Sequence, residues 1–167
     1  MPFEIDPTMN PAVAPLGWMI GRWEGVGVVG YPDMDSRNFG QELVISHDGR
    51  PFLAIESHTH LLNEDGSKDR DSARESGFFR FLDNGEIELL LVHPTGILEM
   101  YVGRREVDRP VLDLATDGVM RSPAARDYTA ARRMYGLVEQ KLLWVMDMAA
   151  EGHPMQSHAS AQLTRVG

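Results

Sequence analysis

The sequence changes character at Gly21, where a segment interrupted by prolines gives way to alternating small and large residues. The run from Gly21 to Gly27 reads Gly-Arg-Trp-Glu-Gly-Val-Gly, with one tryptophan between two glycines of the same parity. Glycine relieves a sharp strand bend and lets backbones approach closely, while a single large side chain can fill the end of a narrow barrel. The run therefore predicts the first strand of a small, strongly curved β-barrel.

Turn residues recur at short intervals along the rest of the chain. Asp-Gly and Asn-Gly pairs, or a glycine close to a proline, separate segments that are rich in β-branched and aromatic residues. We predict strands at residues 22–29, 41–47, 51–60, 76–82, 86–93, 97–103, 110–116, 127–137, 141–149 and 155–165. Because the connections are too short for helical crossovers, the predicted fold is all-β, a roughly ten-stranded antiparallel up-and-down barrel similar to fatty-acid-binding proteins.

Three segments fall outside the predicted strands. Asn10–Ile20 contains Pro11 and Pro15, so it can form only a short helical turn before the barrel. Tyr31–Asn38 is polar and is interpreted as a loop between the first two strands. Asn63–Glu75 carries a dense run of charges with few apolar residues, and it is interpreted as a mobile loop.

The composition is that of a single globular domain. The chain has 167 residues, of which 43% are hydrophobic and 25% charged, and no stretch approaches the roughly 20 apolar residues of a spanning helix. It contains no cysteine, which excludes disulfides and thiolate ligands, so any metal must be held by other side chains. The acidic start, Met1–Asp6, lacks the pattern of a signal peptide, and a cytoplasmic location is expected.

The charge balance bears on possible partners. A net charge of −9 disfavours nucleic acid and anionic membranes, because neutralising phosphates needs a basic surface. Two local exceptions, Arg104-Arg105 and Arg132-Arg133, are interpreted as solvated strand ends. No nucleic-acid or membrane partner is therefore expected.

Four segments occur in an order and at a spacing that match a known family. They are Gly21–Gly27, Ser46–Ala54, His93–Ile97 and Met148–Leu163, and the likeness extends over nearly the whole chain, from about residue 16 to residue 165. In these segments the chain resembles the nitrobindin family, haem-binding β-barrels that are also described as peroxynitrite isomerases.

The resemblance implies both a domain organisation and a function. Residues 16–167 would form the haem-binding barrel domain, and residues 1–15 an N-terminal extension. The domain would hold one haem b per chain, isomerise peroxynitrite to nitrate at ferric iron and also bind nitric oxide. Family members often pair into homodimers. Their distal haem face is apolar, and the candidates for it here are Phe52, Phe79, Leu89, Leu91 and Met146.

The resemblance places the haem ligand on the last predicted strand. The run from His158 to Leu163 matches the family pattern H-x-x-A-x-L, which implies that His158 is the axial iron ligand and the catalytic residue. Strand alternation instead predicts that the His158 side chain faces solvent, because it groups His158 with the polar residues Ser160 and Gln162. A shallow site at the barrel mouth would reconcile these two interpretations.

A second cofactor contact is implied at Arg126, where the family often has lysine. It stands just before an acidic residue and a predicted strand. A cation there could pair with a haem propionate, and arginine would do so through two hydrogen bonds. A surface arginine without such a role is the alternative.

Other ionisable residues have structural interpretations. His47 and His93 end predicted strands beside turns, where an imidazole commonly bonds a loop carbonyl. His153 lies in the turn before the last strand, at a position where the family usually carries glutamine. Glu99 and Asp113 follow strand alternation as solvent-facing carboxylates, which disfavours acid–base catalysis by them.

Two rival functions stay open. Glu56, His58 and His60 share one face of a predicted strand at a spacing that suits a nonhaem metal, but no second histidine motif accompanies them. The preferred interpretation of the three is a polar outer face. The other rival is a noncatalytic barrel that carries or senses a small apolar ligand.

Overall fold

The computed structural model describes residues 6–167, and ten antiparallel strands make up most of this range. The strands are β1 (Gly21–Tyr31), β2 (Met34–Ser46), β3 (Phe52–Leu62), β4 (Lys68–Phe81), β5 (Ile87–His93), β6 (Ile97–Arg105), β7 (Val111–Arg121), β8 (Tyr128–Val138), β9 (Lys141–Ala150) and β10 (Gln156–Arg165). Each pairs with its sequence neighbours, and β1 pairs with β10, so that the sheet closes on itself. The predicted all-β barrel is confirmed.

The 3-10 helix Ala14–Met19 closes one end of the barrel and confirms the predicted helical turn. Leu16 and Met19 are fully buried beside Trp23, whose indole N–H donates to the Met19 carbonyl at 2.9 Å. Trp23 thus fills the barrel end, as its place between glycines predicts. Residues 1–5 of the predicted N-terminal extension lie outside the described range, while Val13 is part of the buried core. Within residues 6–167, no helix is long and apolar enough to cross a membrane.

The glycines of β1 permit the close seam between the first and last strands. A Cβ atom added at Gly25 would collide with the carbonyl oxygen of Gln162, and one at Gly27 with that of Ser160. Both carbonyls belong to β10, so glycine is needed here for close approach rather than for an unusual dihedral angle.

The opposite end of the barrel, called the open rim below, has no covering helix within the described residues. It is formed by the turns at residues 32–33, 63–67, 94–96, 122–127 and 151–155. The interior near the closed end is apolar, whereas four buried polar residues lie between the middle of the barrel and the rim: Gln41, Ser57, Glu99 and Arg133. The chemistry-bearing groups of the interior are therefore kept away from the closed end.

Both loops predicted within the barrel are largely strand, and these predictions are wrong. The stretch Tyr31–Asn38 contains a tight turn at residues 32–33, after which β2 already pairs with β1. The stretch Asn63–Glu75 contains a turn and the first half of β4, which pairs with β3. Most side chains in both stretches are exposed. Their sequences therefore lack the alternation of apolar and polar residues that marks a half-buried strand.

The first half of β4, residues 68–75, is termed the β4 arm. It pairs with β3 alone, because pairing with β5 begins at Ser76. A strand held on one side opens locally at a lower free energy than one held on both sides. We expect amide hydrogens of the β4 arm to exchange faster than those of residues 76–81 in the ligand-free protein, and trypsin to cut first near Lys68 or Arg70. First cleavage within residues 141–163 would contradict this.

Candidate functional site

His158 lies at a β-bulge near the start of β10. Ser157 and Ala159 pair with consecutive residues of β9, Asp147 and Met146, so that His158 is the extra residue between them. Alternation predicts a solvent-facing ring, but a bulge interrupts the two-residue period at this position. The ring is half-buried and lines both a cavity inside the barrel and a cleft outside it.

The His158 side chain also closes the top of the seam between β1 and β10. Backbone pairing ends at Val29 and Ala159, and beyond it His158 Nδ1 lies 3.0 Å from the carbonyl oxygen of Gly30. A carbonyl oxygen only accepts, so Nδ1 carries the proton and Nε2 holds the free lone pair. No residue in the range 6–167 forms a hydrogen bond with Nε2. The ring is therefore fixed in the tautomer that can bind a metal through Nε2.

Local electrostatics favour the neutral form of this imidazole. Burial lowers the pKa of His158, and the positive charges of Arg126 and Arg133 lower it further, against the opposing effect of the bond to Gly30. A lowered pKa means that the ring is deprotonated at neutral pH. Neutral imidazole is the form that serves as a metal ligand.

Tyr31, which the sequence analysis did not single out, supports the ring from the side. Its hydroxyl donates to the Met148 carbonyl at 2.9 Å and accepts from the Ala150 amide at 3.1 Å, which ties the end of β1 to β9. The Tyr31 ring meets the His158 ring edge to face at 5.7 Å, and the His153 ring in the same manner at 5.5 Å. His153 is thus next to Tyr31 at the rim.

Arg126 lies in the rim turn that precedes β8. Its Nε is 3.4 Å from the carboxylate of Glu151, in the turn between β9 and β10, and its side chain is 40% exposed. An exposed ion pair of this kind contributes little to stability, so the guanidinium can exchange partners at small cost. The structure brings Arg126 and His158 to the same end of the barrel, close enough for the charge to affect the imidazole.

The cavity beside His158 has a volume of about 90 Å³. It is lined by Val29, Phe39, Gln41, Ser57, Thr59, Ser72, Ala73, Glu75, Trp144, Met146, His158 and Ala159. Of the predicted apolar candidates only Met146 lines it; Phe79, Leu89 and Leu91 are core residues elsewhere, and Phe52 lies in an outer groove. The wall of this cavity combines polar and apolar side chains, and the apolar distal haem face stays a prediction.

A buried charged network fills the interior next to this cavity. Arg133 is 4% exposed and donates to both carboxylate oxygens of Glu75, at 2.8 and 3.1 Å, and to the Tyr101 hydroxyl at 3.0 Å. Glu99, also 4% exposed, accepts from Tyr101 and Tyr128. The interpretations of Arg133 as a solvated strand end and of Glu99 as a solvent-facing carboxylate are therefore wrong.

The two histidines at strand ends bond carboxylates, not the loop carbonyls that their positions predict. His93 Nε2 lies 2.5 Å from Glu99 Oε1, and His47 Nε2 lies 2.9 Å from Asp6 Oδ2. Burial would raise the pKa of Glu99, but the hydrogen bond from His93, the charge of Arg133 and the hydrogen bond from Tyr128 together lower it to about 2. Glu99 is accordingly an anion at neutral pH and supplies no proton.

Glu56 and His58 lie on the outer face of β3, as predicted, and His60 is packed on the backbone of Gly40 beside them. Glu56 accepts a hydrogen bond from Ser76. Between residues 6 and 167, no three His, Asp or Glu side chains come together as a metal centre.

That these three residues do not form a metal site stays a prediction. Replacing His58 and His60 with glutamine should leave the metal content and the absorption spectrum of the purified protein unchanged, because neither side chain faces the interior. Elemental analysis of both proteins checks this. Loss of a stoichiometric nonhaem metal from the double variant would support the rival metal site.

The closed ten-stranded barrel and the histidine at its open rim define a small β-barrel with a candidate metal ligand at one end. The match to a family model described as the THAP4-like, heme-binding beta-barrel domain covers residues 12–165. The chain belongs to this haem-binding β-barrel family, and the resemblance to nitrobindins is confirmed.

Individual relatives cover the chain from end to end. It is 43% identical over 165 residues to a peroxynitrite isomerase of Nocardioides sp., with 99% of each chain covered. It is 44% identical to a ferric nitrobindin-like protein of Kineococcus radiotolerans, with 99% of this chain and 98% of the relative covered. Among solved structures, Rv2717c from M. tuberculosis matches with a TM-score of 0.86 and 32% identity, over 95% of this chain and 99% of that one.

Proposed function

We propose that the protein binds one haem b through His158 Nε2 and isomerises peroxynitrite to nitrate. The observation that carries this proposal is the hydrogen bond from His158 Nδ1 to the Gly30 carbonyl, which leaves a neutral, oriented Nε2 lone pair at the rim. The names of the relatives, peroxynitrite isomerase and ferric nitrobindin-like protein, support the same activity. His158 is thus proposed as both the metal ligand and the catalytic residue.

The residues around His158 fit a haem in their chemistry. The bulge orients the ring, Tyr31 supports it, and the adjacent Ala159 leaves space beside it. Arg126 could leave Glu151 and pair with a propionate, because the present ion pair is exposed. In Arg126 the chain keeps a cation at the position where lysine is common in the family.

The cavity itself is too small for a porphyrin in this conformation. Its volume of about 90 Å³ holds a small anion, whereas pockets that enclose ligands of drug size span roughly 300–1,000 Å³. We therefore propose that the porphyrin is held at the open rim, where His158 and Arg126 lie, and that this cavity is left for a small ligand.

The chemistry needs few groups from the protein. A ferric haem held by His158 would supply a Lewis acid for this isomerisation and a coordination position for nitric oxide. Peroxynitrite and nitrate are isomers, so no external electron or proton is consumed. The protein therefore has to hold the metal, keep His158 neutral and admit a small anion from the rim.

Two measurements test the function. Haem titration of the ligand-free protein should produce a Soret band that saturates at one haem per chain. The ferric protein should then accelerate peroxynitrite decay with nitrate as the product, and free haem at the same concentration is the control. If the protein takes up no haem, the noncatalytic carrier becomes the better hypothesis, although an interior filled by side chains leaves little space for an enclosed apolar ligand.

A further inference from the structure

Trp144, Gln41 and Ser57 form a hydrogen-bonded chain in the wall of the cavity that His158 lines. The Trp144 indole Nε1 donates to Gln41 Oε1 at 2.8 Å, and Gln41 Nε2 donates to Ser57 Oγ at 2.9 Å. None of the three is more than 8% exposed. They come from β9, β2 and β3, so the barrel fold brings them together from distant parts of the sequence.

The direction of these two hydrogen bonds follows from the chemistry of Trp144. An indole N–H can only donate, so Gln41 must present its carbonyl oxygen to Trp144 and its amide nitrogen to Ser57. Ser57 Oγ therefore accepts from Gln41 and keeps its own hydrogen. That hydrogen is donated to no acceptor within residues 6–167. Hydrogen bonds in series polarise one another, which strengthens the terminal donor.

Two further polar groups of the cavity wall are already engaged. The Thr59 hydroxyl accepts from the Ala73 amide at 2.9 Å and donates to the Ala73 carbonyl at 3.4 Å. The carboxylate of Glu75, the residue opposite Ser57 on β4, accepts two hydrogen bonds from Arg133. Among the buried wall residues, the Ser57 hydroxyl and the second amide hydrogen of Gln41 remain as donors, and the hydroxyl of the exposed Ser72 also forms no hydrogen bond within residues 6–167. A ligand that complements them must be a hydrogen-bond acceptor.

We propose that Ser57 donates a hydrogen bond to an anion that enters this cavity, and that Trp144 and Gln41 act as positioning residues for its hydroxyl. This inference rests on the proposed function, because the anion is the substrate or product beside the iron. Peroxynitrite and nitrate both present oxygen acceptors, whereas nitric oxide accepts hydrogen bonds weakly. Ser57 thus selects anionic oxygen ligands over nitric oxide.

The test uses fluoride and nitric oxide as probes of the ferric, haem-loaded protein. Fluoride is a small anion that accepts hydrogen bonds, so Ser57→Ala should raise its Kd by roughly ten-fold or more, as expected for a hydrogen bond to a charged acceptor. The Kd for nitric oxide should change less than about two-fold. Thr59→Val is the matched control, because it removes a hydroxyl of the same wall whose hydrogen is already engaged.

A second variant tests the positioning role. Trp144→Phe leaves the Ser57 hydroxyl in place but frees the Gln41 amide to turn, so the Kd for fluoride should rise by a smaller factor than in Ser57→Ala. Equal changes for fluoride and nitric oxide, or equal effects of Ser57→Ala and Thr59→Val, would overturn the inference. If Ser57→Ala does not fold, an unchanged fluoride Kd in Trp144→Phe overturns it instead. Failure of the unaltered protein to take up haem overturns the proposed function first, and is seen before any anion is added.

Discussion

His158→Ala is expected to abolish haem binding while the barrel remains folded. The substitution removes the proposed iron ligand, so haem affinity should fall by more than the roughly 10–100-fold that loss of an outer partner of a metal ligand costs. The ligand-free barrel loses the hydrogen bond to Gly30, about 0.5–1.5 kcal/mol, and the edge-to-face contact with Tyr31, about 0.5–1.5 kcal/mol. The half-buried ring leaves no sealed cavity behind, so the barrel should still fold. Haem titration and urea unfolding measure the two effects separately.

Two companion variants sharpen this test. His158→Gly should regain a haem spectrum when free imidazole is added, since the missing ligand is then supplied from solution. His153→Gln is the matched control: it alters the other ring beside Tyr31 and restores the usual family residue, and it should keep both haem and activity. A normal ferric spectrum in His158→Ala, together with its loss in His153→Gln, would show that the ligand is misassigned.

Much of the fold could be predicted from turn chemistry, because ten strands joined by short connections have few ways to pair. The errors lie where a strand has no buried face. The β4 arm is a run of charged and small residues, and it is a strand only because β3 supplies backbone partners. The first residues of β2 behave in the same way against β1. Pairing of this kind depends on the neighbouring strand rather than on the period of the sequence.

The site was only partly accessible from the sequence. Family resemblance singled out His158 as the proposed ligand, whereas alternation placed its side chain on the solvent side, because a single bulge is not visible in the pattern. The buried charges carried a weak signal: Glu99 has the same parity as Ile97 and Tyr101, and Arg133 the same parity as Tyr135, all of which are buried. Charged residues are usually exposed, and this general preference outweighed the parity signal. The preference does not consider the buried partners that the fold places beside Glu99 and Arg133.

Those buried charges give the largest expected effect on stability. Arg133→Met should reduce the free energy of unfolding by about 3–5 kcal/mol at pH 7, because Glu75 and Glu99 would then be anions without their buried cation. Methionine has a similar length, which limits the contribution of lost packing. Arg132→Met is the control on the outer face, where Arg132 meets Asp113 at 2.6 Å with both side chains exposed, and the expected loss there is below about 1 kcal/mol.

The pH dependence separates charge from packing in this experiment. In the unaltered protein the pKa of Glu99 falls from 4.5 to about 2 on folding, so its contribution to stability is present above pH 4.5 and is lost as the pH falls towards 2. Without Arg133 the pKa of Glu99 should rise. Protonation of Glu99 in acid should then reduce the destabilisation caused by Arg133→Met. The difference in unfolding free energy between the two proteins should therefore shrink from pH 7 to pH 4. If the difference in unfolding free energy is constant over this range, Arg133 does not stabilise the interior carboxylates as anions. A difference at pH 7 no larger than that caused by Arg132→Met would lead to the same conclusion.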